Sequence, residues 1–318
     1  MTAARFIVAF AMTAAFLTGC EVAPPSDPVP PPQAVPAVIM PALPAVREPS
    51  AASRNLMAHY TALQTQMLTQ NLLRSDGGGA DTPFTDTMLA RNFAQIALAT
   101  EYGDNSDFTV RQGGQTTLRR WEQPIRMNVA FSDSVPLAQR DQDRTSVSAF
   151  AARLARLTGV PISQTDESPN FHVLFLDDDD RREAADRLRK LVPGLSDATI
   201  RGIVSLPRDQ LCLVAAVFQP GQSTYAQAVV LIRAEHPNLI RAACLHEELA
   251  QGMGLANDSD TARPSIFNDS EEFALLTRHD ELLLRILYDR RLAAGMTPAT
   301  AAPIAAEIAR DLTVAGAS

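Results

Sequence analysis

Two apolar runs set the folding problem for this chain. LCLVAAVF at 211–218 and YAQAVVLI at 225–232 flank Pro220-Gly221-Gln222-Ser223, and strand-like runs around such a breaker cluster predict a β-hairpin. A hairpin this apolar must belong to a larger sheet. Upstream, Ile125, Met127, Val129 and Phe131 alternate with polar or small residues, the period of a half-buried strand. FHVLFLD at 171–177 reads as a short buried strand. Helical spacing marks 51–74 (Leu56, Tyr60, Leu63, Met67), 86 to about 102 (Leu89, Phe93, Ile96, Leu98), 143–158 (Val147, Phe150, Leu154, Leu157) and 181–191. Helix, strand, helix, strand, hairpin, helix gives an α/β (α+β) domain with a mixed sheet, preceded by N-terminal helices.

The first twenty residues are MTAARFIVAFAMTAAFLTGC. Their apolar run is too short to span a bilayer and has the layout of a secretory signal. Its end, Leu17-Thr18-Gly19-Cys20, resembles the bacterial lipoprotein box, in which Cys20 becomes the lipidated N-terminus. Glu21 follows, where an Asp would be the usual inner-membrane retention signal, so the outer membrane is expected, with the folded part facing the periplasm. Residues 21–50 are dense in proline, which fixes φ and removes donors; they predict an extended tether. The division expected is therefore a signal at 1–20, a linker at 21–50, an N-terminal helical segment at 51–112 and the main domain at 113–318. No other continuous apolar run is long enough to cross a bilayer.

Net charge is −8 and no basic tract occurs, which argues against a nucleic-acid partner. Three cysteines are present. With Cys20 assigned to the anchor, Cys212 and Cys244 form an even pair in an oxidising compartment, where a disulfide is the default and two separate buried thiols the alternative. The acidic run 177–180 precedes a helix and favours its positive end; without a Gly-containing loop it does not read as a calcium site.

The stretch CLHEELAQGMGLANDS, 244–259, carries the chemistry. On a helix over 239–253, Cys244, Glu247, Glu248 and Gln251 share one face, while Leu245, Leu249 and Met253 turn to the core. Carboxylates and a carboxamide so grouped can coordinate a cation, hold a water or face solvent.

E-E-L-A-Q-G-M-G-L-A-N from Glu247 resembles the HExxHxxGxxH helix of metzincin zinc peptidases. The resemblance puts Glu247, Gln251 and Asn257 at the three ligand positions, Glu248 at the general base and Gly254 at the turn. Pro264-Ser265-Ile266-Phe267-Asn268 stands where a Met-containing turn belongs, and 276–289 resembles the final helix. Glu247-Glu248-Leu249, Gln251, Gly254-Leu255, Asn257-Asp258-Ser259, Phe267-Asn268-Asp269, Leu287-Tyr288-Asp289 and Gly295-Met296-Thr297 are similar to an uncharacterised family of proteobacterial lipoproteins, DUF2927, over about 84–307. That resemblance implies an architecture and no activity.

Zinc sites are built from imidazole, thiolate and carboxylate. Glu, Gln and Asn supply one anionic oxygen and two weak neutral donors, a set for a harder, non-zinc divalent cation if for any. Without a strong Lewis acid, Glu248 has no potent water to activate. His246 has Ala250 where a second His is needed, and is expected on the packed flank of the helix. Three readings stay open: a hydrogen-bond network replacing the metal, with Glu247 paired to Arg263 or Arg241; a different cation; or catalysis by Glu248. The expectation is a tethered, non-catalytic module binding an envelope protein, a peptide or peptidoglycan. The alternative is a metal-dependent hydrolase.

Overall fold

The computed structural model describes residues 46–103, 108 and 114–315; the signal, Cys20 and most of the proline tether lie outside the described residues. In chain order the elements are α1 (Ala51–Thr69), α2 (Asp86–Ala97), β1 (Ala99–Thr100), β2 (Gly114–Gln115), β3 (Ile125–Phe131), α3 (Leu137–Thr158), β4 (Ile162–Gln164) and β5 (Phe171–Leu176). They continue with α4 (Asp178–Arg182), α5 (Ala185–Leu191), α6 (Asp197–Val204), β6 (Cys212–Phe218), β7 (Tyr225–Arg233), α7 (Asn238–Gln251), α8 (Arg278–Leu287) and α9 (Pro298–Ala315).

The five-stranded sheet has the order β4-β3-β5-β7-β6. Strands β4, β3, β5 and β7 run parallel, and the hairpin makes β6 antiparallel to β7. Its turn bonds Gln219 N to Thr224 O at 2.9 Å and uses Gly221 at φ +70°. Every residue of β5 is buried, because this central strand is covered on both faces. Phe171, Val173 and Phe175 join a large core built with α2, α3, α7, α8 and α9. Leu174 and Leu176 join a smaller one with Leu188 of α5 and Ile200 and Ile203 of α6. The mixed α/β class expected from the periodicity is therefore the architecture found. Met67 of α1 and Leu89, Phe93 and Ile96 of α2 belong to the same large core as the sheet, so these two helices pack into it. Among the described residues no helix is long and apolar enough to cross a membrane.

Several boundaries differ, each for a local reason. Helix α1 ends at Thr69, not 74: Leu73 N and Arg74 N instead donate to Glu271 O and Glu272 O, both at 2.8 Å. Helix α2 stops at Ala97, and β1 pairs with β2 where further helix was expected. Helix α3 starts at Leu137, after Pro136, and not at 143; its first turns are polar and carry no apolar period. The helix expected over 181–191 is two. Asp177 caps the first through Asp180 N at 2.8 Å, and buried Arg181 turns to Asp178 Oδ1 (2.5 Å) and the carbonyls of Ile203 and Val204. The acidic run is thus a helix start, and Arg47 also pairs with Asp177 and Asp180. Strand β4 and helix α6 had no counterpart in the periodicity.

Candidate functional site: an acidic cleft

Helix α7 follows Pro237, which offers no side-chain cap. Gln64 of α1 supplies one instead, its Oε1 accepting from Leu239 N and Ile240 N at 3.1 Å each. Ile240, Leu245 and Leu249 anchor the helix in the large core. Arg241 Nη1 donates to buried Asp143 Oδ2 at 2.8 Å. Cys244 is bonded to Cys212, S–S 2.00 Å, which ties α7 to β6 as expected for an even pair.

Past α7 the chain makes two close approaches. Gly252 O accepts from Trp121 Nε1 at 2.8 Å, and a Cβ on Gly252 would sit 2.8 Å from Phe171 Cζ. Gly254 has φ +121°, and a Cβ there would lie 2.2 Å from Arg119 O, so only glycine lets the two segments touch. The Tyr288 hydroxyl donates to Met253 O at 2.8 Å. The next turn is held from below by Asp280, which is fully buried. Its carboxylate accepts from Ser265 Oγ (2.6 Å), Ile266 N (3.1 Å), Thr277 N (3.0 Å) and Thr277 Oγ1 (2.8 Å). Asp280 is thus the hub of this turn.

Between α7, β6 and the loops near 101, 258 and 270 lies a cleft of about 450 Å³. Glu247, Glu248 and Gln251 line it with β6, and the loops add Glu101, Asp258, Asp269 and Glu271. The carboxylate oxygens of Glu247 and Glu248 and the sulfur of Cys212 all lie within 4.8 Å of one another. Glu248 is 4% exposed, and its Oε2 has no hydrogen-bond partner. Glu247 is half-buried on the cleft floor. Burial, then Asp258, push both carboxyls well above the usual range; Glu248, Glu271 and Glu101 add to the effect on Glu247, and Glu101 to that on Glu248. Burial, then Asp269, push Glu271 up to about 7.

The other expected site residues are engaged in local contacts. Gln251 Nε2 donates to Asp258 Oδ1 at 3.2 Å. Asn257 does not line the cleft; its amide donates to Gln95 O (2.9 Å) and Asp258 O (2.7 Å), fastening the loop to α2. Glu247 has neither arginine expected for it, since Arg241 pairs with Asp143 and Arg263 with Glu272. His246 stacks on Phe150 at 4.0 Å, and its Nδ1 accepts from Leu276 N at 3.0 Å. Burial, then Arg153, lower it to about 4, so it is neutral and engaged away from the cleft. Asp269 and Glu271 of the 268–272 run also line the cleft.

This donor set does not fit zinc. Gln251 offers only a neutral amide oxygen, Asn257 lies off the cleft, and the sulfur nearest the two glutamates is locked in a disulfide, without a thiolate to offer.

Fold and site together define a mixed α/β domain with an acidic cleft beside an edge strand. The family described as "Protein of unknown function (DUF2927)" matches over residues 86–307, more than half of the chain, and the chain belongs to it. No curated protein and no solved structure matches this chain.

Proposed function

We propose that this protein is a lipoprotein of the cell envelope, tethered through Cys20, whose folded part is a non-catalytic, metzincin-like module that binds an extended polypeptide segment in the acidic cleft. The observation that carries the reading is the position of β6. It pairs with β7 on one side only, and among the described residues no strand lies along its other edge. An open edge offers a row of backbone donors and acceptors to an incoming extended segment, the mode known as strand addition. Here that edge forms a wall of the cleft. The other edge strand, β4, has only three residues and does not line this cleft.

The test uses the full chain purified in detergent. Labelled nonapeptides of extended-favouring composition are titrated by fluorescence anisotropy, with peptidoglycan fragments in parallel. Peptide binding that is lost in Ala216→Trp, which fills the cleft beside β6, is the expected result. Binding of peptidoglycan alone would overturn the peptide reading. Stoichiometric metal retained through purification, with hydrolysis lost in Glu248→Gln, would replace it with the metal-dependent hydrolase. Labelled palmitate incorporated by wild type but not by Cys20→Ala tests the tether.

A further inference from the structure

We infer that the floor of the cleft takes a basic side chain, Lys or Arg, of the bound segment; this rests on the polypeptide-cleft reading above. Glu248 is almost wholly buried, and one of its oxygens has no donor. A buried polar atom left unsatisfied is costly, so this oxygen marks a place where a ligand donor is missing. Glu247 and Glu248 hold oxygens within 4.8 Å of each other, close enough for one ammonium or guanidinium to reach both.

The walls fit the rest of such a side chain. Val214, Ala216 and Phe218 lie on the α7 side of β6, packed at the margin of the large core, and Tyr225 stands beside Phe218 with ring centroids 5.1 Å apart. An apolar wall leading to a carboxyl-lined floor matches a methylene stem carrying a charged head. Arg119, which also lines the cleft, lies over the Phe218 ring at 4.5 Å. A bare divalent ion fits less well. Hard cations take six or more oxygens, whereas the third atom of the tight group is the disulfide sulfur of Cys212.

Three nonapeptides differing only in a central Lys, Arg or Gln test this against the full chain by anisotropy. The Lys or Arg peptide is expected to bind at least tenfold more tightly than the Gln peptide. In the Glu247→Gln/Glu248→Gln double variant that preference should vanish while the Gln peptide binds as before, which also shows the cleft intact. If the double variant does not fold by circular dichroism, Glu247→Gln alone, at the more exposed of the two positions, must reduce the preference severalfold. Equal binding of all three peptides to wild type would overturn the inference and leave the cleft reading standing. No binding of any peptide would overturn both. A preference that survives in the variants would move the cation site off this floor and overturn the assignment.

Discussion

Replacing Glu248 by Gln should make the folded chain more stable at neutral pH. The carboxyl is 4% exposed, one oxygen has no partner, and Asp258 and Glu101 repel its charge. Its ordinary value is 4.5, and the folded chain raises it. A raised value means that the folded state holds the proton more tightly. The favourable contribution is therefore complete below pH 4.5 and is lost as pH rises toward the folded value. Between there and an assay at pH 7, at about 1.4 kcal/mol per pH unit, the penalty is at most about 3 kcal/mol. Glutamine keeps the shape and removes the charge, but its amide also needs partners. The net gain expected is about 1–3 kcal/mol at pH 7, falling to near zero at pH 4. Urea unfolding followed by circular dichroism at both pH values reads it as a shift in midpoint at constant slope. A neutral or destabilising effect at pH 7 would refute the reasoning, because the carboxylate would then be compensated in the folded chain. The same substitution should weaken binding of basic peptides, a stability cost held for function.

Gly254→Ala should cost about 2–5 kcal/mol, combining overpacking against Arg119 O with a positive φ, read from the urea midpoint. Asp280→Ala leaves Ser265, Ile266 and Thr277 donors buried without an acceptor, and should cost more than about 3 kcal/mol by thermal unfolding. Cys212→Ala/Cys244→Ala opens a crosslink between residues 32 apart in sequence, which loop entropy values at about 4 kcal/mol. Wild type in dithiothreitol should lose a similar amount, and the variant should not respond to the reductant.

The sheet was legible because each strand carries its burial in its spelling. Ile125 and Met127 alternate with half-buried neighbours, and β5 is apolar throughout because it is central. The face of α7 was legible for the same reason: one helical period puts Glu247, Glu248 and Gln251 on the side that meets the cleft. Beyond the end of that helix, spacing stops fixing direction. Asn257 occupies a ligand position by counting, yet the chain turns at Gly254 and its amide reaches Gln95 O, while Asp258 faces the cleft. Glu101, Asp258 and Glu271 come from separate loops, and no local pattern announces that they converge. Charge alone also misassigned partners: Arg241 and Arg263 are close to Glu247 in sequence but meet Asp143 and Glu272. The hold of Asp280 on the Ser265-Ile266 turn emerges only from the fold. Gln64 as the cap of α7 was equally hidden, because it acts from an element distant in sequence.

The most direct test of the central claim is amide hydrogen exchange of the full chain with and without a saturating Lys-centred nonapeptide. Strand addition beside the acidic floor predicts that amides of β6, Cys212–Phe218, slow by at least tenfold, with little change in β4. Peptide binding that leaves β6 unprotected, or that protects β4 instead, would contradict it.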